Sequence, residues 1–506
     1  MDSTNKRIAK NTALLYVRTV LTILISLYTS RVILDVLGET NFGIYNVVGG
    51  VVVLFSFISN ALTSATQRFL NFELGCGDEK SISKLFSLSL TAHISMALVV
   101  LVIAETIGLW FVNTQLNIPP TKEYAMMWAY QCSVLITCIN IIVIPYNAII
   151  VAHERMGYYA YLSILESVLK LAIVYVLLIV SQDKLIAYSL LLVGVSLIKS
   201  MCLKVYANRK FTTSRYIFAW DWSLYKKLMS FSGWSLFGSA ANVGVSQGVN
   251  ILINIFYGIS VNAAMGVARQ VQSSVSSFVG NFQTAFNPPL VKSYAKGDNE
   301  GFIRMICNTS RMSFFLIYVL AFPLIVGANK IMSIWLKEVP QYAVPLTQVM
   351  LVMVIVGALI TPLWTAVQAV GRIKNYQIIV SIIIFLNLPV IYLCFKNNLS
   401  PVWALIVRTC VDLITYAFRL IYLRKLVRFP ILQYLKLVIA PCLFIIASSV
   451  LTTTLLCKIT PYNEDNLVVI FVSAIVNFIF IFYIGLTSTE RNFIFDKVRD
   501  VTTRFK

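Results

Sequence analysis

The sequence predicts an all-α polytopic membrane protein of about fourteen transmembrane helices. It further predicts two parallel-repeat six-helix lobes around a central cavity, with two extra helices at the C-terminal end. Three observations carry this. Of the 506 residues, 58% are hydrophobic and 12% charged, with a mean hydropathy of +0.80, a balance foreign to soluble domains. Apolar runs of about twenty residues recur along the whole chain, long enough to cross a bilayer as helices. Short alternating segments of the β-barrel kind are absent. A long motif also repeats. SFISNALTSATQRFLNFELGCGD begins at Ser56 and ends at Gly77-Asp78, and SFVGNFQTAFNPPLVKSYAKGD begins at Ser277 and ends at Gly297-Asp298.

In order, the first run (11–37) follows a basic N-terminus, MDSTNKRIAKNTALLY, and GETNF leads directly into the second (44–66). That N-terminus lacks the short apolar core and small-residue cleavage site of a secretory signal, so the first helix is expected to be retained. The loop QRFLNFELGCGDEKSISK precedes 85–112, and 123–151 follows. AHERMGYY separates it from 159–180 and 185–206. The basic stretch ANRKFTTSRYIFAWDWSLYKK leads to 228–257, and YGISV to 262–290. After VKSYAKGDNEGFIRM come 310–334 and 343–370; after GRIKN, 376–395 and 401–423; after RKLVRFPILQYLK, 436–457 and 467–486. The repeat lays the first run on the seventh and sets Gly38 against Gly258. Six runs separate the copies, an even number, so the repeat is parallel. The expected organisation is an N-terminal lobe over 1–206, an inter-lobe linker over 207–227, a C-terminal lobe over 228–423, and two added helices with a tail over 424–506.

The formal charge of +20 does not indicate nucleic-acid binding. Most basic residues fall in the loops of one side, the pattern of a positive-inside topology with both termini cytoplasmic. The nine cysteines are scattered singly. No cysteine or histidine spacing suits a metal, and no motif calls for a cofactor. His93 and His153 stand apart in sequence and read as packing or surface residues.

Polar residues at helical spacing mark the helices expected to line the cavity. On 262–290 they are Asn262, Gly266, Arg269, Ser273, Ser276, Gly280, Gln283 and Asn287. On the seventh run they are Ser235, Ser239, Asn242, Ser246, Asn250 and Asn254. The first run carries Asn11, Arg18, Thr22, Ser26 and Thr29; the second carries Asn46, Gly49, Ser56, Asn60, Thr63 and Gln67. Small-residue stripes also serve close helix packing. That accounts for Ser, Thr and Gly better than for the arginines and asparagines, because a charge inside the bilayer requires a partner or water.

The ionisable residues within runs sort by spacing. Glu166 and Lys170, Arg408 and Asp412, and Arg31 and Asp35 are each four apart, as ion pairs on one helix face. Lys199 lies near enough to a helix end to snorkel. Arg18 and Arg269 have no acidic residue three or four positions away. Each sits roughly 10 Å inside its run at 1.5 Å per residue. A guanidinium in a wet cavity suits a phosphate or carboxylate, through its charge and paired donors.

The stretch TSRVILDVLGETNFGIYNVVGG, the paired QRFLNFELGCGD and NPPLVKSYAKGD ends, and the stripe around Arg269 resemble a polysaccharide-unit flippase (an O-antigen or capsule repeat-unit translocase) of the multidrug/oligosaccharidyl-lipid/polysaccharide exporter superfamily. The resemblance covers nearly the whole chain. It implies a bacterial inner-membrane protein that moves undecaprenyl-pyrophosphate-linked oligosaccharides between leaflets by alternating access, beside a polysaccharide polymerase and chain-length machinery. In the related lipid II flippases, arginines on the first, second and eighth helices line the cavity. Arg18 and Arg269 match the first and eighth; the second has only Arg68, at its end. Two other readings compete. A cation-coupled multidrug antiporter of the same superfamily would need a cavity carboxylate, and the polar faces of the first, second, seventh and eighth runs have none at mid-membrane. A membrane glycosyltransferase or polymerase would need catalytic carboxylates or a large extramembrane loop.

Overall fold

The computed structural model describes residues 3–53, 56–115, 120–180, 183–217, 221–336, 339–459, 467–488 and 490–492. The side chains of 3–10 and of many positions between 27 and 57 lie outside that description, and with them the Arg31–Asp35 pair, Asn46 and Ser56.

Every regular element described is helical. They are α1 (Ser3–Val53), α2 (Ser56–Cys76), α3 (Glu79–Ile103), α4 (Leu109–Gln115), α5 (Glu123–Ala152), α6 (Met156–Ile179), α7 (Lys184–Lys210), α8 (Trp222–Ala295) and α9 (Asn299–Val326). There follow α10 (Ala328–Trp335), α11 (Ala343–Val370), α12 (Lys374–Phe385), α13 (Asn387–Lys396), α14 (Trp403–Val427), α15 (Ile431–Tyr434), α16 (Ala440–Ile459) and α17 (Leu467–Phe480). Ten of the described helices are long and apolar enough to cross a membrane. The protein is an all-α, multi-pass membrane protein.

Two helices are longer than any bilayer requires, and each changes course at one glycine. Gly38 breaks α1 at φ 76°, ψ 163°, and Gly258 breaks α8 at φ 79°, ψ −173°. Only glycine adopts that region at little cost. The break redirects one long helix at a single residue, with almost no loop. The second pair, Gly77 and Gly297, also has positive φ, 82° and 74°, and each precedes an aspartate. Asp78 caps α3, accepting from the Lys80 amide at 3.2 Å. The Ser81 hydroxyl and the helix amides hold its carboxyl below the usual range. Asp298 takes a bond from the Ser293 hydroxyl at 3.3 Å. The repeat thus reproduces backbone conformation at both ends of a helix. No Cβ clash awaits a side chain at Gly258, so Gly258→Ala isolates the backbone term. It should lower unfolding stability in detergent by about 1–3 kcal/mol. Gly280→Ala, in ordinary helix with equally open surroundings, should be neutral or mildly stabilising. A thermal unfolding comparison of the two checks this.

Pro288 and Pro289 do not end the polar helix, which continues to Ala295. Membrane helices tolerate proline where neighbours re-satisfy the freed backbone groups.

The described chain divides into two compact units. The first holds Met1–Val243, Thr284–Asp298 and Gly371–Ile378; the second holds Gly244–Gln283, Asn299–Val370 and Ile379–Lys506. In the first, α5 is the most deeply covered span. Its Ala129, Tyr130 and Val134 pack with Ile44 and Val48 of α1, Leu62 of α2, and Ala97 and Val100 of α3. The Tyr130 hydroxyl donates to the Ala104 carbonyl at 2.6 Å, where the helix after α3 widens into a π-turn over Ala104–Gly108. Asp183 caps α7 and ties it to the loop before α5, accepting from the Leu185 amide and pairing with Lys122, both at 2.9 Å. In the second unit, Phe314, Tyr318 and Phe322 stack along one face of α9 at 5.1 and 5.2 Å. The added helices dock there through a buried asparagine. Asn477 of α17 donates to the Tyr318 carbonyl at 3.0 Å and accepts from Ser449 of α16 at 3.4 Å. Such polar contacts fix helix register in a membrane, where apolar packing alone has little preference.

Candidate functional site

The first unit contains a polar face built mainly on α6. Tyr159, Ser163, Glu166 and Lys170 follow one another at spacings of four, three and four, so they share one side of the helix. Near the start of that side, the Arg18 guanidinium of α1 lies over the Tyr159 ring at 5.2 Å, within cation–π range. Arg18 also reaches the Thr19 hydroxyl at 3.4 Å. Further along, the Tyr28 and Tyr175 hydroxyls meet at 3.0 Å, holding α1 against α6.

Between these contacts lies a charged cluster. Glu166 binds Lys170 through one carboxylate oxygen and Lys199 of α7 through the other, each at 2.8 Å. Two ammonium groups share one carboxylate, so the cluster carries a net positive charge. Glu166 is ten residues from the start of α6, about 15 Å along the axis, and the helix runs on for a similar length beyond it. The cluster is therefore deep within a spanning helix, yet its lysines are 47% and 30% exposed. Ions at such depth are stable only against water or other polar groups, and here each lysine has the Glu166 carboxylate.

Lys199 does not snorkel to a helix end, as its sequence position suggests. Glu166 draws it sideways across the α6–α7 contact, because pairing removes the penalty of an isolated buried charge. The i,i+4 pair Glu166–Lys170 is legible in the sequence; its third member is not.

The other expected site residues divide between the units. Thr22 and Ser26 on α1 bond their own helix, to the Thr19 and Ile23 carbonyls at 3.1 Å each. Asn60 of α2 is exposed, and Ser239 of α8 is half-buried. Asn242 is exposed and donates to the Gly238 carbonyl at 3.0 Å. In the second unit, Ser246 and Ser276 are half-buried. Asn250 donates to Gln247 at 3.1 Å, and Ser273 is exposed and bonds Gln270. Arg269 is half-buried, with no ion pair or hydrogen bond among the described residues. Gln283 is a correction. It is buried, and its amide donates to Ser313 of α9 at 3.2 Å and to the Ala358 carbonyl of α11 at 3.3 Å. It locks three helices together instead of facing a path.

Arg68 lies past the middle of α2, two turns before its end, with its guanidinium over the rings of Phe69, Phe72 and Phe231 at 4.6, 5.1 and 5.6 Å. In the second unit, Arg408 pairs with Asp412 at 3.6 Å, as spacing predicts, and Arg419 donates to the Ile360 carbonyl at 3.4 Å. Among the described residues, no group of three or more His, Cys, Asp or Glu could hold a metal.

These features define a multi-pass all-α membrane fold with cationic groups inside its spanning helices. The chain's fold is similar to solved transporters of the MOP superfamily. One is an outward-facing multidrug resistance MATE transporter (TM-score 0.74, 11% identity, 84% of this chain and 96% of that one). Another is the MATE transporter ClbM in complex with Rb+ (0.71, 15%, 85% and 97%). A third is a MOP-superfamily transporter from Pyrococcus furiosus, described as having a binding pocket of reversed polarity (0.71, 10%, 84% and 96%). No curated protein matches the chain. The family model for polysaccharide biosynthesis proteins matches residues 8–293, more than half of the chain, and the protein belongs to that family.

Proposed function

We propose that the protein is a flippase. It moves undecaprenyl-pyrophosphate-linked oligosaccharide repeat units from the cytoplasmic to the outer leaflet of a bacterial inner membrane by alternating access, with both termini cytoplasmic. The product feeds surface polysaccharide synthesis, where a polymerase and chain-length machinery take it up. The observation that carries this reading is the excess positive charge of Glu166, Lys170 and Lys199 at mid-helix, one face along from Arg18. A pyrophosphate–sugar head would lose its hydration in hydrocarbon. Guanidinium and ammonium groups replace that hydration at the phosphates, while Asn, Ser and Thr side chains meet sugar hydroxyls. Arg18 and Arg269 are proposed to bind pyrophosphate.

Arg18→Ala and Arg269→Ala should each lower surface-glycan export about tenfold, the scale of one lost charge-assisted hydrogen bond, at unchanged protein level. Cells deleted for the gene and carrying either variant should accumulate lipid-linked oligosaccharide. Normal export with both arginines gone would sink the cavity-arginine assignment.

The multidrug-antiporter reading has one observation in its favour, the MATE fold of the structural neighbours. It needs a carboxylate free to exchange a cation, and Glu166 is held by two lysines. Glu166→Gln separates the two readings: an antiporter loses drug efflux, whereas the flippase retains glycan export.

A further inference from the structure

The first unit has a second basic feature, on the side of α7 opposite Lys199 and absent from the transport argument. A cavity of about 1010 Å³ opens between α5 and α7 at the end of the helices that carries the basic loops. Its inner part is apolar, with Ile139 and Ile142 of α5 facing Leu197 and Met201 of α7. Leu197 and Met201 are 53% and 69% exposed, as side chains turned toward lipid are. Its mouth is formed by Lys204, Arg209 and Arg215, with Asn208 between them. No carboxylate lines the cavity, and none of the three cations has an ion pair among the described residues.

The geometry repeats the two parts of a phospholipid. From Leu197 to Lys204 the helix rises about 10 Å, an apolar wall for the upper part of an acyl chain. The cations then line the same cavity around the end of α7 that carries the basic loop. The mouth is also fixed in place. Tyr206 of α7 stacks on Tyr158 at 3.5 Å, and the Tyr158 hydroxyl donates to the Cys202 carbonyl at 3.0 Å. Phe211 stacks on His153 at 4.0 Å. The chain around Arg215 is pinned to α3, since the Ile217 amide donates to Ser87 at 3.0 Å and Tyr216 meets Thr91 at 3.4 Å. Lysine and arginine near a helix C-terminus also suit the helix dipole, but that effect does not require Arg215, which lies beyond α7, to converge on the same cavity.

We propose that this cavity is a binding site for an anionic glycerophospholipid, its phosphate held by Lys204, Arg209 and Arg215 and one acyl chain lying along Ile142, Leu197 and Met201. Basic pockets between spanning helices select acidic lipid headgroups by charge. The site is independent of the cargo that the protein transports.

The test uses the purified full-length protein in detergent with added phosphatidylglycerol or phosphatidylcholine, and counts retained lipid by native mass spectrometry. The wild type should retain one phosphatidylglycerol at least tenfold more strongly than phosphatidylcholine. The triple variant Lys204→Ala, Arg209→Ala, Arg215→Ala should weaken phosphatidylglycerol binding on the order of a hundredfold, at about fivefold per cation. Met201→Trp, which fills the apolar part and keeps every charge, should weaken it too. Should the triple variant fail to elute as a single species, Lys204→Gln alone should still show the fivefold loss. Equal retention of the two lipids, or retention unchanged in the variants, would overturn the proposal. Preferential retention of an added polyprenyl phosphate would also overturn it, by assigning the site to a different lipid.

Discussion

Replacing both Lys170 and Lys199 with methionine should reduce export of lipid-linked oligosaccharide on the order of a hundredfold. In the native protein the two lysines outnumber Glu166, each at 2.8 Å. The double substitution leaves a lone carboxylate on the same face and reverses the local sign. At an effective dielectric of about 20, one unit charge acting over a few ångströms is worth about 4 kcal/mol. Partial exposure of the cluster reduces that to the two orders of magnitude expected. The double variant should also be less stable, because the half-buried Glu166 is left without its two lysines. A third substitution separates these effects. Lys170→Met, Lys199→Met with Glu166→Gln has no charge at the site, and replacing a complete ionic cluster by neutral groups is often harmless to folding. The triple variant should therefore recover thermal stability and protein level while export stays low. Recovery of export together with stability would mean that the cluster is structural and that the anion path lies elsewhere.

What the sequence discloses depends on whether a feature is local. The helix breaks at Gly38 and Gly258 are legible because a positive φ selects glycine and the repeat offers the same glycine twice. The pairs Glu166–Lys170 and Arg408–Asp412 are legible because four residues is one helical turn. The polar stripes are legible as periodicities, but periodicity does not say what a face meets. Gln283 belongs to the same stripe as Arg269, yet it is buried against Ser313 and Ala358. Thr22 and Ser26 bond their own helix, so part of the α1 stripe is satisfied without any cavity. Lys199 is the clearest case of hidden information. Its partner is on another helix, and nothing near it in sequence indicates which. The available signal was the charge balance: Glu166, Lys170 and Lys199 in the fifth and sixth runs make two lysines to one glutamate, and unmatched charge in a spanning segment calls for a partner or a ligand.

Loss of a single ion pair at the basic end of α8 should cost more stability than any other lone substitution considered for the first unit. Glu154 sits in the turn between α5 and α6 with its side chain 3% exposed, and Lys292 of α8 reaches it at 3.0 Å. The turn is held on its other side by Asn11, whose amide donates to the Glu154 carbonyl at 3.2 Å. Glu154 itself has a left-handed backbone, φ 60°, a conformation that needs surrounding contacts to persist. Around it, Leu15, Val151, Met156 and Ala285 form one apolar cluster, so α1, the turn and α8 are joined by packing as well as by charge. Lys292→Met removes the ammonium and leaves a carboxylate almost wholly out of water, a change worth about 3–5 kcal/mol. The variant should unfold at lower temperature and be cleaved faster by protease near residue 154. Adding Glu154→Gln to Lys292→Met should restore most of the loss, because the glutamine has no charge to bury. If Lys292→Met alone melts like the wild type, the pair does not hold the turn, and the apolar cluster around Leu15 and Ala285 must position α8 without it.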